Sequence, residues 1–331
     1  PKLMDFDTYG EMDVLRIFDN PNLGSYYKFL VKYEKDYKVR LTAEQEKVVE
    51  FISKKFASGK RIHELELLQR LLTYHHGILS VLKKSLAEKY HCDMDKNCEK
   101  NIVNIMTNEF PSGSGKKRYK QCIFLEREGE EYGISQSFAD MLEDSHFYNI
   151  VSELIEFGIS RYTKNFKERY QDTDLVLYQK YTYEDACRLL RWERNEVPLN
   201  IGGYKFDKKT KTFPVFINYD KSEDISDTTK YEDHFVNSQC LIAISKSGRN
   251  INSDDVQNFL HADERGIDVQ LFVRKNKDDK VSKEFYYLGR MKATGQAKEF
   301  TMPNTDKSAV EIEWMLETPV REDIYEYIVN G

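Results

Sequence analysis

The chain has 331 residues, a formal net charge of −6, 32 % charged residues and 40 % hydrophobic residues. That composition excludes a disordered polymer, and the acidic balance excludes a chain coated in basic residues, although a local basic stripe suffices to hold nucleic acid. No apolar run approaches the length of a membrane span, so no membrane partner is expected.

The first residues, PKLMDFDTYG, carry no start methionine and begin mid-pattern, as in a fragment whose missing part lies on the N-terminal side. The first half then reads as helices. Ala43 to Ser58 places Val48, Val49, Phe51, Ile52 and Phe56 at helical spacing, and Thr42 with Gln45 has the spacing of a capping box. Ile62 to His76 repeats the period with Leu65, Leu67, Leu68, Leu71 and Leu72, and helices also suit Leu79 to Tyr90 and Glu99 to Met106. Glu109 to Lys117 is a break rich in Pro, Ser and Gly. The alternation and central Glu-Gly-Glu of Tyr119 to Ile134 predict a hairpin, giving a winged-helix-like arrangement, before helices resume over Gln136 to Asp144 and Tyr148 to Tyr170. Gln171 to Asp174 marks the domain boundary.

The second half changes character. Thr182 to Asn195 predicts one more helix, capped by Thr182, in which Trp192 is a core or interface residue. Pro198 ends helical patterning and Gly202-Gly203 marks a turn. Strand-like segments follow at Tyr204 to Phe206, Phe213 to Tyr219, Gln239 to Ile244, Asp268 to Val273, Phe285 to Arg290 and Ala309 to Leu316, with a short helix at Ser253 to Ala262. The fold class is α+β: an all-helical domain over residues 1–173, then a small barrel or strongly curved sheet over residues 174–331.

Several motifs fail on inspection. SGSGKK, Ser112 to Lys117, has Phe110 where a phosphate loop needs its first glycine and Lys117 where it needs Ser or Thr, so it reads as a basic loop. Neither HExxH nor GxSxG occurs, so a zinc protease and a serine hydrolase are not expected. The five cysteines are irregularly spaced, as in reduced thiols of a cytoplasmic protein, and His91, Cys92 and Cys98 lack the further ligands that zinc requires; no cofactor or metal is expected.

The stretch from Thr212 to Phe235 interleaves six aromatic or imidazole rings with six carboxylates and two lysines. Three readings stay open: a sheet edge under a charged loop, a catalytic carboxylate cluster, or a pocket that stacks a planar ligand. Phe213 and Phe216 point to opposite faces of an alternating strand and read as core on two sides.

The segment from Leu175 to Gln239, with a helix carrying Arg-Leu-Leu-x-Trp, then Asn-Ile-Gly-Gly-Tyr, a strand and Lys-Tyr-Glu-Asp-x-Phe, resembles the region found C-terminal to superfamily-two helicases in bacterial defence proteins. Ser245-Lys246-Ser247-Gly248-Arg249, DVQLFVRK and FYYLGRM continue the resemblance, and LMDFDTYGEMDVL, SYYKFLVKYE and GKRIHELELLQRLL extend it to the first half. By architecture the chain is similar to SauUSI-type type IV, modification-dependent restriction enzymes. The resemblance implies a helical coupling domain followed by an SRA/PUA-like domain. It also implies double-stranded DNA containing 5-methylcytosine or 5-hydroxymethylcytosine as partner, and helicase and nuclease domains elsewhere in the parent chain. The fragment itself would not be an enzyme. One departure stands out: where many relatives carry an aromatic before the Ser-x-x-x-Arg segment, this chain has Ile242, Ala243 and Ile244.

On that model a flipped base needs rings to stack on, an acceptor for the cytosine amino group, and cations for the phosphates. The ring candidates are Tyr219, Tyr231 and Phe235; the acceptors are Asp220, Glu232 and Asp233. The phosphate candidates are Ser245, Lys246, Ser247 and Arg249, on a turn leading to a helix N-terminus. The lysines at 205, 208, 209 and 211, and those at 275, 277, 280 and 283, form two further basic loops. The alternatives are a protein-interaction module of a helicase-containing defence protein that never touches a base, and an enzyme in its own right.

Overall fold

The computed structural model describes residues 3–4, 14–220, 232–276 and 283–331, with the side chains of Asp220 and Asn276 outside that description. Two compact units are present: Pro1–Glu168 with Glu193–Asn195, and Arg169–Trp192 with Glu196–Gly331.

The first unit is helical: α1 (Val14–Asp19), α2 (Tyr26–Tyr33), α3 (Ala43–Lys55), α4 (Ile62–Leu71), α5 (Ile78–Tyr90), α6 (Lys96–Met106), α7 (Ser114–Arg118), α8 (Gln136–Leu142) and α9 (Ser145–Arg161). The capping box forms as expected, Thr42 Oγ1 accepting from Gln45 N at 3.1 Å and Gln45 Oε1 accepting from Thr42 N at 2.9 Å. Asp95 accepts from Cys98 N at 2.7 Å, which starts α6 at Lys96, a turn earlier than its apolar pattern suggests. Eight of the ten residues of helix α4 are buried, so it is a central element of the first unit. The hairpin is shorter than expected, β1 (Leu125–Glu128) against β2 (Glu131–Ile134). Residues 119–124 form turns instead, with Cys122 N donating to Tyr119 O and Phe124 N to Met106 O.

The second unit holds β3 (Lys180–Tyr181), α10 (Tyr183–Leu189), α11 (Pro198–Ile201), β4 (Thr212–Asp220), β5 (His234–Asn237), β6 (Cys240–Ile244), α12 (Asp254–Leu260), α13 (Ala262–Arg265), β7 (Asp268–Asn276), β8 (Phe285–Thr301), β9 (Ser308–Leu316) and α14 (Glu322–Asn330). Helix α10 stops at Leu189, six residues before the expected end, because Arg191 turns left-handed at φ 65°. Trp192 is buried, and its indole N–H donates to Thr212 Oγ1 at 2.8 Å. Pro198 begins a helical turn rather than ending one: it sits at the first position, where its missing N–H is not needed. Tyr204 to Phe206 makes an isolated bridge to β4, not a strand.

The sheet order is β4-β7-β8-β9-β6-β5, with β3 paired to β8. Strands β4 and β7 are parallel and the other neighbours antiparallel, so the sheet is mixed. Among the described residues no ladder joins β4 to β5, so the expected barrel is instead a curled half-barrel. The curl is visible in the core: Phe213, Val215, Leu241, Leu271, Leu288, Ile312 and Trp314, from strands along the whole sheet, share one buried cluster. Phe213 stacks on Phe259 of α12 at 4.1 Å, whereas Phe216 stacks on Phe272 at 4.9 Å on the opposite face. Both faces of β4 are therefore buried, as its alternation implied.

Trp314 is 2 % exposed and meets Phe259 edge-on at 5.1 Å. Trp314→Ala should destabilise the chain by about 3–5 kcal/mol through loss of burial and the cavity left behind. Denaturant unfolding followed by far-ultraviolet dichroism checks this.

Candidate nucleic-acid interface

The loop after β6 is fastened to the start of β9. Ser245 N donates to Val310 O at 2.9 Å and Gly248 N to Ser308 O at 2.8 Å. Val310 N donates back to Ser245 Oγ at 2.8 Å, and Ser308 Oγ donates to Arg249 O at 2.8 Å. Gly248 has φ 81°, a backbone state that a side chain disfavours, and it turns the chain between Lys246 and Arg249.

Beneath this loop lies Tyr204, whose ring packs edge-on to Phe259 at 5.0 Å. Its hydroxyl accepts from Lys246 N at 3.0 Å and donates to Asp255 Oδ2 at 2.6 Å. The same Asp255 oxygen accepts from Arg249 Nε at 2.8 Å. Lys246 Nζ sits 4.6 Å from the centroid of the Tyr204 ring, a cation–π distance. Burial raises the Tyr204 hydroxyl pKa well above its ordinary value, with Asp255 adding to the shift. Burial would also raise Asp255, but hydrogen bonds from Tyr204 and Arg249 outweigh it and hold the carboxyl below its usual range. Burial, followed by repulsion from Arg249, lowers the Lys246 ammonium.

The residues expected to form the site separate into groups. Lys246, Ser247 and Arg249 come together on the loop, half-buried or exposed. The Ser245 hydroxyl is buried and committed to Val310 N and Lys246 O, so it is not a phosphate donor. Helix α12, below two turns in length, opens with Asp254 and Asp255, which occupy the end where an anion was expected. Phe235 is only 7 % exposed, stacked on Tyr219 at 5.8 Å and edge-on to Tyr325 at 5.7 Å. The Tyr219 hydroxyl accepts from Phe235 N at 3.2 Å. These two rings therefore staple β4 to β5, and the face of Phe235 is not open to a base. Asp233 Oδ1 accepts from Ile244 N at 2.8 Å, and the Glu232 carbonyl contacts His234 Nδ1 at 2.8 Å. Tyr231 and the side chain of Asp220 lie outside the described residues.

Of the two further basic loops, Lys205 pairs with Glu196 at 3.4 Å and Lys211 Nζ donates to Arg265 O at 3.3 Å, leaving Lys208 exposed. Lys275 Nζ donates to Tyr327 O at 3.3 Å, and the lysines at 277 and 280 are outside the described residues. Sequence reasoning missed Tyr204 and Asp255. The signal for Asp255 was present as an acid in the first turn of the helix after Arg249; that Tyr204 would reach it depends on the fold.

A cavity of about 460 Å³ opens elsewhere in this unit, lined by Asp172, Asp263, Asp268 and Glu317 against Arg290 and Lys292. Arg290 is held by Asp268 at 2.8 Å and Asp172 at 2.7 Å, and Lys292 by Asp263 at 3.3 Å. The excess of carboxylates opposes a phosphate backbone there. Among the described residues no helix is long and apolar enough to cross a membrane.

Asp255→Asn should weaken the second unit by about 1–3 kcal/mol, since two donors lose a charged acceptor. Because the folded pKa of Asp255 is depressed, its contribution is full above the unfolded value of about 4 and is lost as pH falls through the folded one. The difference between wild type and variant should shrink as pH falls from about 4 through the depressed folded pKa of Asp255, as read from urea midpoints across a pH series.

Comparison with known proteins places these features beside several others. Among solved structures, the SRA domain of SUVH5 in complex with hemimethylated CG DNA is 12 % identical over 45 % of this chain and 92 % of that one, with a TM-score of 0.30. The DNA modification-dependent restriction endonuclease AspBHI is 9 % identical over 44 % of this chain and 77 % of that one, with a TM-score of 0.30. KRYPTONITE, solved with mCHH DNA, a histone H3 peptide and SAH, is 10 % identical over 50 % of this chain and 39 % of that one, with a TM-score of 0.31. No curated protein matches. Residues 1–165 match one family model, a domain of unknown function (DUF8090), and residues 175–328 match another, a domain of unknown function (DUF3427).

Proposed function

We propose that this chain is the target-recognising part of a modification-dependent restriction system. Its second unit binds duplex DNA and selects 5-methylcytosine or 5-hydroxymethylcytosine. Its helical unit couples that event to helicase and nuclease domains of the parent protein, and this part performs no catalysis.

The observation that carries the reading is how the charged groups of the Lys246–Arg249 loop are partnered. Asp255 is committed to Tyr204 and Arg249, so among the described residues no carboxylate bonds Lys246, whose ammonium rests on a ring and is repelled by Arg249. An arriving anion offsets that repulsion. Phosphate oxygens are the anions that a rigid Lys-Ser-Gly-Arg loop suits, with the exposed Ser247 hydroxyl as a further donor. Such contacts fix the register of the duplex and read no sequence.

Selection of the modified base requires extrusion, at a cost of a few kcal/mol, offset by stacking of about 1–3 kcal/mol per ring and by hydrogen bonds to the base edge. Phe235 and Tyr219 support this as a pre-stacked wall that braces the end of β4, not as the sandwich itself. Asp233 supports it by holding the backbone at Ile244.

The test is fluorescence anisotropy with duplexes identical except for cytosine, 5-methylcytosine or 5-hydroxymethylcytosine at one site. Tighter binding to a modified duplex is expected, with an affinity that falls steeply with salt. Lys246→Ala should weaken all duplexes alike and lower the salt slope by about 1. No binding at low salt would sink the proposal in favour of a protein-interaction module.

A further inference from the structure

The basic loop that fails as a phosphate loop has a different setting in the fold. Helix α7, built from its end, is tied to α3 by the Arg118–Glu50 ion pair; α3 carries Lys47 and Lys54, and α7 with the turn after it carries Lys116, Lys117, Arg118 and Lys120. Their anchor is Glu50, whose side chain is 6 % exposed and which bonds Lys47 at 3.1 Å, Lys54 at 3.6 Å and Arg118. Burial would raise Glu50, yet Arg118 and Lys47 hold its carboxyl below the ordinary range. One buried carboxylate thus gathers three cations and neutralises one charge. Arg118 also lies 5.6 Å from the centroid of the buried Tyr119 ring, which fixes its plane. Lys116 pairs with Glu109 at 2.9 Å, and its carbonyl accepts from Asn108 Nδ2 at 3.0 Å, so the loop is tied at its base. Lys117 and Lys120 are exposed.

Among the described residues the carboxylates bonded to these six cations are Glu50 and Glu109, so the six outnumber their bonded carboxylates by four, in an acidic protein. Tyr119 is buried and, among the described residues between Lys116 and Lys120, no exposed ring interleaves the cations, so the surface suits a repeating anion more than bases. The hairpin tip, with Glu128, Glu130 and Glu131, is acidic and would not act as a wing. We propose that the α3–α7 face of the helical unit is a second DNA contact, gripping backbone phosphates without reading bases or their modification. It stands apart from the selection of a modified base by residues of the second unit.

The experiment uses the full chain and a labelled unmodified duplex of about 30 base pairs at about 50 and 200 mM salt, the range over which phosphate contacts are lost. Lys116→Glu/Lys117→Glu/Lys120→Glu should lower affinity at least tenfold, for modified and unmodified duplexes alike, and reduce the salt slope by about 2–3. Lys116→Arg/Lys117→Arg/Lys120→Arg should keep wild-type binding, and unchanged unfolding midpoints show that the reversal folds. Lys83→Glu/Lys84→Glu/Lys96→Glu, with the same change in net charge on α5 and α6, should cost little. Wild-type affinity in the first reversal overturns the proposal, as does an equal loss in the α5–α6 control. Loss of affinity with no preference for modified DNA refutes the modification reading and upholds this contact; preference retained with no loss does the reverse.

Discussion

A carboxylate that is only 18 % exposed must be paired, and Asp255 is paired twice. Meeting that requirement fixes the Tyr204 hydroxyl, and through the Tyr204 ring it connects the surface loop to Phe213 and Phe259 in the core. It also fixes Arg249. The same bonds thus create a rigid loop. The arrangement of the loop follows from how one partly buried acid is satisfied, not from an unusual density of lysines.

The abundance of rings has a plainer cause than ligand stacking. Phe213 with Phe259, Phe216 with Phe272, and Tyr219 with Phe235 stack on each other, and Tyr183, Phe285 and Tyr287 close the outer face of β4 and β7. A sheet covered on both faces needs large apolar residues at successive positions, and β4 supplies them.

Much of the fold was legible because its determinants are local. The Thr42–Gln45 and Thr182–Asp185 boxes start helices from side chains three residues apart, and the apolar alternation of β4, β6 and β9 gives their extent. What was not legible depends on distant partners. Strand β8 continues to Thr301 through the polar run KATGQAKEF, because β9 supplies its ladder while most side chains are exposed and Ala293 and Ala297 pack on the core. Helix α14 lies beyond the last strand pattern and went unread, although Ile324 and Ile328 have the spacing of a buried stripe. In the site, Lys246, Ser247 and Arg249 stood out by type and proximity. Ser245 and Phe235 did not reveal their inward roles, since a hydroxyl or a ring looks the same in sequence whether it faces a ligand or a neighbouring strand.

Strand β9 is last in sequence among the strands but lies inside the sheet, between β8 and β6. Edge strands can be added late to a sheet that already holds together, whereas this one is the seam. Until residues 308–316 join, β5 and β6 form a hairpin with no ladder to β4, β7 and β8, which pair among themselves. Isolated hairpins are marginal in water and late parallel pairing is slow. The second unit therefore becomes one sheet only when β9 joins, and a chain cut before Ser308 holds two sheet fragments whose β6 and β8 edges lack their partner.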